Sequence, residues 1–384
     1  MDNALAKRIE KGFTTVFDKQ PLLFFSPGRI NLIGEHIDYN NGFVFPAAID
    51  KGIVVALEKS NTSKTTIIAA DFEESFHLDL DNLIPVEEGG WRNYAIGIVG
   101  ELQKMGYKIA PFHMLFGGNL PAGAGLSSSA ALENGIVYGL NTLFNLGLSR
   151  EQMIFISQKA EHNYVGVHCG IMDQFASMFG KKDHFILLDC RNLERNLFQI
   201  DLQEYTLVLI NSNVHHTLSE STYNKRRYLC EKAANLCHKK SLRDVSLIEL
   251  KGIQQELSQE EYQMMLYVIE EMERTQKAAK CIRQNNLHAL GALLFETHAG
   301  LSSQYKVSCE ELDFLVSMAT QNPQVIGARM MGGGFGGCTI NMVKKEGVST
   351  FISETCAAYQ QKFGFDCQEI TISISHGTHQ IMAE

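Results

Sequence analysis

Short runs of mostly apolar residues, rich in β-branched and aromatic side chains, alternate with helical patterns through the first half of the chain, and such runs are typical of β-strands. These runs predict strands at residues 53–57, 65–69, 113–116 and 185–188. Amphipathic helices are predicted after Ser129, where apolar residues recur every four positions, and from residue 151 to about 164. Strands and helices are therefore mixed in this half.

The second half of the chain is predicted to be mostly helical, with strands at its start and near its end. An apolar strand is predicted at 205–210, and a long helix at 260–282, where helix breakers are few. Strands return around a glycine cluster, and 369–375 alternates as a strand does. We therefore expect an α+β fold in two lobes, with domains at 1–200 and 201–384, because 384 residues exceed the usual size of one core.

Composition and charge argue against several classes of protein. Hydrophobic residues make up 45% and charged residues 20% of the chain, which is typical of a folded globular protein. The net charge is −9 and basic residues form no long run, so we expect no nucleic-acid partner. Nine scattered cysteines without a CxxC pair, and no apolar run of membrane-spanning length, favour a cytoplasmic protein that does not bind a membrane.

The first segment with candidate chemistry is SPGRINLIGEHIDYNNG, residues 26–42. It places Arg29, Glu35, His36 and Asp38 within ten residues, between glycines that favour turns. Carboxylates accept hydrogen bonds from sugar hydroxyls, and arginine and histidine donate them, so the pattern suits a loop that binds a polyhydroxyl ligand. A solvated turn with an ordinary ion pair fits the composition equally well.

The second segment, NLPAGAGLSSSAALE at 119–133, is typical of an anion-binding helix N-terminus. Gly123 and Gly125 would let the backbone approach a ligand, and a serine would cap a helix whose first-turn amides have no intrahelical acceptor. These amides and the helix dipole favour phosphate. No lysine follows the second glycine, so this is not a Walker A loop. A capped helix after a flexible turn is the simpler alternative.

The third segment, MMGGGFGGC at 330–338, contains a GxGxxG match to the dinucleotide-binding fingerprint. That fingerprint requires a helix after the glycines, whereas TINMV at 339–343 is predicted to be a strand. A nucleotide-dependent dehydrogenase is therefore disfavoured, and a strand-to-strand loop is expected. The glycines imply a close approach of the backbone, either to a ligand or to a neighbouring segment.

Two acidic residues outside these segments are further candidates. Asp173 lies among apolar residues and would need a partner if it were buried, and Glu161 lies near the end of the predicted 151–164 helix. Taken singly, each is more simply interpreted as a surface residue. His215 and His216 lack the HExxH spacing of a zinc site, so we expect ordinary polar residues there.

Together, these segments resemble the GHMP kinase superfamily and, within it, the galactokinase family. CGIMDQF at 169–175, and SNV at 212–214 with YNKRR at 223–227, add further matches, and the resemblance spans essentially the whole chain. It implies a two-lobed GHMP kinase fold, with a first domain like ribosomal protein S5 domain 2, a ferredoxin-like second domain, and an active site in the cleft between them. ATP as co-substrate and Mg²⁺ are implied as well.

The resemblance also implies roles for individual residues. The sugar would be held by Glu35, His36, Ile37, Asp38, Gly170 and Tyr223. The ATP phosphates would be bound by Gly123, Ala124, Gly125, Leu126, Ser127, Ser128 and Ser129. Mg²⁺ would be coordinated by Ser129 and Glu161. Asp173 would be the catalytic base and Arg29 the cation beside it, but the sequence leaves open whether Asp173 removes the proton or only orients the hydroxyl.

The reaction implied by the resemblance is ATP-dependent phosphorylation of α-D-galactose at its C1 hydroxyl. It gives galactose 1-phosphate and ADP, the first committed step of galactose metabolism by the Leloir pathway, and we expect a monomer whose partners are galactose and ATP. An N-acetylgalactosamine kinase is one alternative, because Ile37 stands where most galactokinases carry threonine. A non-catalytic galactose sensor is another, disfavoured because the loop serines and Asp173 are present. Met331 also replaces a threonine common in the third segment.

Overall fold

A computed structural model describes residues 3–214 and 219–382, so His215 and His216 lie outside the described residues. Within those ranges the chain forms eleven α-helices and thirteen strands. None of the helices in this part of the chain is long and apolar enough to span a membrane. The mixture of helices and strands expected from the sequence is confirmed.

The helices include three that the sequence pattern predicts. Their bounds are α1 Asn3–Phe17, α2 Trp91–Lys104, α3 Ser128–Phe144, α4 Arg150–Ala160, α5 Met172–Phe179, α6 Ser219–Leu236, α7 Leu247–Gly252, α8 Gln259–Arg283, α9 Leu287–Ser303, α10 Glu310–Gln321 and α11 Val348–Phe363. The predicted helices correspond to α3, α4 and α8. Capping boxes at Ser149 and Ser258 fix where α4 and α8 begin. The helix expected at 151–164 changes after α4 into a π-helical turn, Glu161–Val165, a form frequent at functional sites.

The strands form three sheets. Their bounds are β1 Leu22–Asn31, β2 Phe43–Val44, β3 Pro46–Lys59, β4 Thr65–Ala69, β5 Glu74–Leu78, β6 Phe112–Gly118, β7 Phe185–Asp189, β8 Arg195–Phe198, β9 Tyr205–Asn211, β10 Val325–Met330, β11 Cys338–Lys344, β12 Gln368–Ile370 and β13 His379–Ile381. The first sheet has the order β13-β1-β3-β6-β4-β5, the second β10-β11-β9-β12 and the third β2-β7-β8. Neighbouring strands are antiparallel except β4 and β6, which are parallel.

Small residues on α3 let this helix lie directly on the first sheet. A Cβ at Gly139 would lie 2.3 Å from Leu57 Cδ1, and one at Gly135 would lie 2.8 Å from Val55 Cγ2. Both distances are shorter than a van der Waals contact, so neither position has room for a side chain. This close packing fixes the N-terminus of α3 relative to β1 and β3.

The glycine cluster joins two strands of the second sheet, as the sequence predicts. Strands β10 and β11 pair antiparallel with Met330 opposite Thr339, and residues 331–337 form the loop between them. The loop is tied at its base by the amide of Met331, which donates to the carbonyl of Cys338 at 2.9 Å. The expectation of a strand, not a helix, after these glycines is confirmed.

Two of the expected elements differ from the structure. Residues 26–31, expected to belong to a loop, continue strand β1, because Ser26, Arg29 and Asn31 are buried and their backbone pairs with β3. The strand expected at 369–375 ends at Ile370, and beyond it Ile374 makes only an isolated bridge to Ile49. The polar residues within 26–31 concealed the continuation of β1 from the sequence pattern. The alternating pattern at 369–375 predicted a longer strand than the structure contains.

The end of the chain returns to its beginning. Strand β13 pairs antiparallel with β1, placing Gln380 opposite Phe24. The largest hydrophobic cluster likewise includes residues from both halves of the sequence, such as Ile136 of α3 and Val268 of α8. The domain boundary near residue 200 remains a prediction.

Candidate active site

An irregularity in strand β1 brings Arg29 to the loop that precedes α3. The register between β1 and β3 shifts between Pro27 and Arg29, where the proline lacks an amide hydrogen. Gly28 has no room for a side chain, since a Cβ there would lie 2.5 Å from the carbonyl oxygen of Leu126. The amide of Arg29 donates to that same carbonyl at 3.0 Å. Strand and loop are therefore in direct backbone contact.

Arg29 and Asp173 form a two-pronged ion pair at this junction. Nε and Nη2 of Arg29 donate to Oδ1 and Oδ2 of Asp173 at 2.8 and 2.9 Å, and Nη1 donates to the carbonyl of Gly125 at 2.7 Å. The side chain of Arg29 is 4% exposed and that of Asp173 is 29% exposed. Burial alone would lower the pKa of Arg29, but the charges of Asp173 and Glu35 raise it above its usual value.

Ser127 does not cap helix α3 with its side chain, contrary to the expectation that a serine would. Its backbone is left-handed, with φ of 59°, and its hydroxyl donates to Oδ2 of Asp173 at 2.5 Å. The amides of the first turn, at Ser128 and Ser129, therefore remain available to an external acceptor. Together with the helix dipole they form a site suited to a phosphate group next to Asp173.

The glycine loop between β10 and β11 packs against the loop before α3. A Cβ at Gly332 would lie 3.1 Å from the carbonyl oxygen of Gly125, and one at Gly337 would lie 3.3 Å from Ala124. The side chains of Ala124 and Leu126 are buried, so at these two positions only the backbone can face a ligand. Close packing between segments thus accounts for part of the glycine content.

A pocket opens beside the Arg29–Asp173 pair. It is lined by Arg29, Glu35, His36, Asp38, Cys169, Gly170, Met172, Asp173, Tyr223, Gly332 and Gly333. The structure therefore brings together five of the six residues expected to bind sugar with both residues expected to act in catalysis. Gly332 and Gly333 join them from the third glycine segment.

Glu35 is held at the pocket wall by a buried arginine that the sequence analysis missed. Nη1 of Arg329 donates to Oε1 of Glu35 at 3.1 Å, and the amide of Gly332 donates to the same oxygen at 2.8 Å. Arg329 is fully buried and also donates to the carbonyls of Leu32 and Asn31. One signal was present: Arg329 is the only charged residue in strand β10.

Asp38 lies against a glycine that cannot be replaced without moving it. A Cβ at Gly170 would lie 1.9 Å from Oδ2 of Asp38. Burial, and then the charge of Asp173, raise the pKa of Asp38 to about 7. The backbone amides of Tyr39 and Met172 donate to this carboxyl, and a sugar hydroxyl in the pocket would add a further partner.

His36 has a left-handed backbone, with φ of 62°. Its ring lies between the rings of Tyr39 and Tyr223 on one side and the glycine loop on the other. Nδ1 lies 3.0 Å from the hydroxyl of Tyr39, and Nε2 lies 3.1 Å from the carbonyl oxygen of Gly333. The ring centroid of Tyr223 is 5.5 Å away. Burial lowers the pKa of His36 to about 4, so the ring is neutral at physiological pH.

Ile37 is the expected sugar-binding residue that the structure does not place in the pocket. Its side chain is fully buried in the largest hydrophobic cluster, where it packs on Gly42. The Ile37 side chain is turned inward, so its predicted part in sugar binding could come only from the backbone and stays a prediction. Met331 is also buried, and its sulphur accepts the amide of Asn31 at 3.4 Å.

A buried carboxylate cluster lies behind Asp173. Gln174 Nε2 donates to Glu161 Oε2 at 2.9 Å and to Glu133 Oε2 at 3.2 Å, and the Ser129 hydroxyl hydrogen-bonds Glu161. Burial raises the pKa of Glu161 to about 7 and that of Glu133 well above its usual value. Glu133 Oε1 is buried without a hydrogen-bond partner.

These oxygen donors fit a hard divalent cation. A carboxylate and a hydroxyl beside a phosphate-binding helix N-terminus are ligands of the kind that Mg²⁺ prefers, the remaining positions being filled by water and phosphate oxygens. A cation would also offset the cost of two buried carboxyl groups lying close together. No group of three or more His, Cys, Asp or Glu residues within 3–214 and 219–382 is arranged to hold a metal by itself.

Three protein-family profiles match the chain. Residues 11–59 match the galactokinase galactose-binding signature, residues 93–181 the N-terminal domain of GHMP kinases, and residues 278–360 their C-terminal domain. The first match covers the segment that contains Arg29, Glu35, His36 and Asp38. The second covers the loop before α3 and Asp173.

Curated relatives resemble the chain over nearly its full length. A galactokinase from Clostridium tetani is 38% identical over 387 residues, which cover 99% of each chain. The chain belongs to the galactokinase family. A second galactokinase, from Thermosipho africanus, is 40% identical over 357 residues, covering 93% of this chain and 99% of the relative.

Solved structures agree with membership of the galactokinase family. Lactococcus lactis galactokinase, in a complex with galactose, superposes with a TM-score of 0.93 and 34% identity, covering 98% of this chain and 99% of that one. A mevalonate kinase superposes with a TM-score of 0.66 at 17% identity, a likeness of fold alone. The chain thus has the two-lobed α+β GHMP kinase fold and is a kinase with ATP as co-substrate.

The raised pKa of Asp38 predicts a pH-dependent cost to stability in the absence of sugar. The folded state holds the Asp38 proton more tightly than the unfolded state, so stability should fall as pH rises from about 4 to about 7. Asp38→Asn removes this cost, and we expect its Tm to exceed that of the parent at pH 8. Differential scanning calorimetry between pH 5 and pH 8 measures the difference.

Asp183→Asn is the matched control, because Asp183 is exposed and lies outside the pocket lining. Its Tm should follow the parent at every pH. An Asp38→Asn variant that is less stable than the parent at pH 8, or whose advantage does not shrink towards pH 5, would contradict the assignment.

Proposed function

We propose that this galactokinase-family enzyme transfers the γ-phosphoryl group of ATP to the anomeric C1 hydroxyl of α-D-galactose, giving galactose 1-phosphate and ADP. The observation that carries the proposal is the Arg29–Asp173 ion pair, which lies between the pocket and the N-terminus of α3. A sugar in the pocket and a phosphate on the helix would therefore meet at one carboxylate. The galactose in the Lactococcus lactis complex supports the choice of sugar.

The pocket wall supplies hydrogen-bonding groups suited to a sugar. Asp38 offers a carboxyl group whose position is restricted by its close contact with Gly170. Glu35 keeps one oxygen on Arg329 and Gly332, which leaves its second oxygen for a hydroxyl. Tyr223 closes one side with an aromatic ring and a hydroxyl. Fixed groups of this kind reject an epimer, since a misplaced hydroxyl leaves a buried partner unpaired.

Phosphate binding would be performed largely by the backbone. The amides at the start of α3 and the flexible backbone at Gly123 and Gly125 suit the phosphate oxygens. Ser129 and Glu161 would hold Mg²⁺, which would neutralise charge on the transferring phosphoryl group. Arg29 adds a fixed positive charge at the same place.

Asp173 would act on the C1 hydroxyl. Its two oxygens receive three hydrogen bonds, two from Arg29 and one from Ser127, which fix the plane of the carboxyl group. A carboxylate in this position would accept the hydroxyl proton as the new P–O bond forms, or would orient the hydroxyl and receive the proton late. Both versions depend on the negative charge of Asp173.

The isoleucine at position 37 does not favour N-acetylgalactosamine over galactose as the substrate. Its side chain is fully buried and does not line the pocket, so it cannot select the substituent at C2 by contact.

We also propose that the enzyme acts as a monomer in the cytoplasm. Nine free cysteines in the described part of the chain support a reducing compartment.

An ADP-release assay across sugars tests the proposed substrate. We expect kcat/KM for galactose to exceed that for glucose, its C4 epimer, by at least about 100-fold, because the pocket groups are fixed. ADP release should fall to background when Mg²⁺ is removed with a chelator and return when it is added back. N-acetylgalactosamine and a no-sugar sample complete the panel.

Each alternative has its own outcome in that assay. Turnover of N-acetylgalactosamine above that of galactose would identify the other kinase, and no ADP release with any sugar would identify a sensor. Equal kcat/KM for glucose and galactose would contradict the sugar assignment of Glu35, Asp38 and Tyr223.

Asp173→Asn tests the catalytic carboxylate, because it keeps the size of the side chain and removes its basicity. We expect kcat to fall about 10²–10⁴-fold. Galactose binding, measured by isothermal titration calorimetry, should persist. Asp183→Asn makes the same chemical change on the exposed surface and should leave kcat unchanged. Turnover of Asp173→Asn at the parental rate would remove Asp173 from its role.

A further inference from the structure

We propose that Tyr39 and Tyr305 are positioning residues that, together with the carbonyl of Gly333, fix the ring orientation of His36 in the sugar pocket and keep its Nδ1 as an acceptor. The inference deepens the proposed function, because His36 lines the pocket assigned to galactose. Neither tyrosine lines that pocket, and their hydroxyls reach it through the hydrogen bond from Tyr39 to His36.

The four groups form one continuous chain of hydrogen bonds. The hydroxyl oxygens of Tyr305 and Tyr39 are 2.7 Å apart, the hydroxyl of Tyr39 lies 3.0 Å from Nδ1 of His36, and Nε2 of His36 lies 3.1 Å from the carbonyl oxygen of Gly333. These distances are all within the normal range of hydrogen bonds. These hydrogen bonds connect Tyr305, in the second half of the sequence, through residues 26–42 to the glycine loop.

The direction of every bond in the chain follows from its last member. A carbonyl oxygen can only accept, so Nε2 of His36 must carry the proton and donate to Gly333. In the neutral ring Nδ1 is then an acceptor, and the hydroxyl of Tyr39 donates to it. The oxygen of Tyr39 in turn accepts the hydroxyl proton of Tyr305. One assignment of protons satisfies the whole chain.

Burial makes the chain costly to break. Tyr305 is fully buried and His36 is 4% exposed. The Sγ atom of Cys230 lies 3.6 Å from the hydroxyl oxygen of Tyr305 and can act as a further weak donor. Burial lowers the pKa of His36, which agrees with a neutral ring that accepts at Nδ1. An unpaired ring nitrogen in this environment would carry a desolvation penalty.

The consequence for the pocket is a fixed wall. With both nitrogens engaged, the His36 ring is held in one orientation, with its centroid 5.5 Å from the ring centroid of Tyr223. The bond to Gly333 also holds the glycine loop against residues 26–42. Loss of either tyrosine hydroxyl should loosen this wall without touching Asp173 or the phosphate-binding loop.

The first test is spectroscopic and does not depend on turnover. With ring-¹⁵N-labelled histidine in the full chain at pH 7.5, we expect His36, assigned from the His36→Gln variant, to be neutral and protonated at Nε2. Tyr39→Phe, which removes the donor to Nδ1, should shift the Nδ1 resonance while Nε2 keeps its proton, because the carbonyl of Gly333 still accepts from it. A parental His36 protonated at Nδ1 overturns the proposal, as does an unchanged spectrum in Tyr39→Phe.

The second test is kinetic. Tyr39→Phe and Tyr305→Phe should each raise KM for galactose about tenfold, the effect of one lost hydrogen bond in a buried network, and leave KM for ATP and kcat within about twofold. Tyr205→Phe is the matched control, because Tyr205 is a buried tyrosine whose hydroxyl lies 3.4 Å from a ring nitrogen of His288, outside the pocket lining. It should change neither KM.

The two tests separate the possible failures. If no sugar is phosphorylated but the His36 spectrum behaves as expected, the proposed function fails and the positioning role stands. If galactose is phosphorylated and the KM for galactose of Tyr39→Phe equals that of the parent, the positioning role fails. Should Tyr305→Phe not fold, Tyr39→Phe and the spectrum of the parent still decide the question.

Discussion

The guanidinium group of Arg29 joins three segments that are far apart in the sequence. It holds both oxygens of Asp173 and the carbonyl of Gly125, while Ser127 donates to the same carboxylate from the start of α3. A buried charge is tolerated only when it is paired and hydrogen-bonded, so each partner requires the others. This one group therefore joins the pocket, where we propose that the sugar binds, to the N-terminus of α3, where we propose that the phosphate binds.

Glycines make that arrangement sterically possible. Gly28 admits the loop before α3, and Gly170 admits Asp38, each at a distance that a Cβ would prevent. Behind the pocket, the buried ion pair of Glu35 and Arg329 holds residues 26–42 against strand β10. Such a pair adds little net stability, but removing one partner costs about 3–5 kcal/mol. The site is thus built from contacts that cannot be altered singly.

Much of this could be predicted from the sequence, since the strands at 65–69 and 185–188 and the helices from Ser129 and at 260–282 follow from periodicity. The polar residues at 29–38 supplied four residues of the pocket, and the resemblance to the galactokinase family supplied Gly170, Tyr223 and the role of Asp173. Periodicity could not show that Ile37 points into the core, that Ser127 bonds Asp173 in place of capping a helix, or that Arg329 holds Glu35. Those facts depend on contacts between residues distant in the chain, which no local pattern encodes.

Arg29→Lys tests the central interaction most directly. Lysine keeps the positive charge but cannot donate to both oxygens of Asp173 and to Gly125 from fixed directions. We expect a folded variant that binds galactose, with a kcat at least about 100-fold below that of the parent, because the carboxylate loses its fixed orientation. A kcat within about threefold of the parent, with the fold intact, would show that positive charge alone suffices and that the hydrogen bonds from Arg29 to Asp173 and Gly125 are not required.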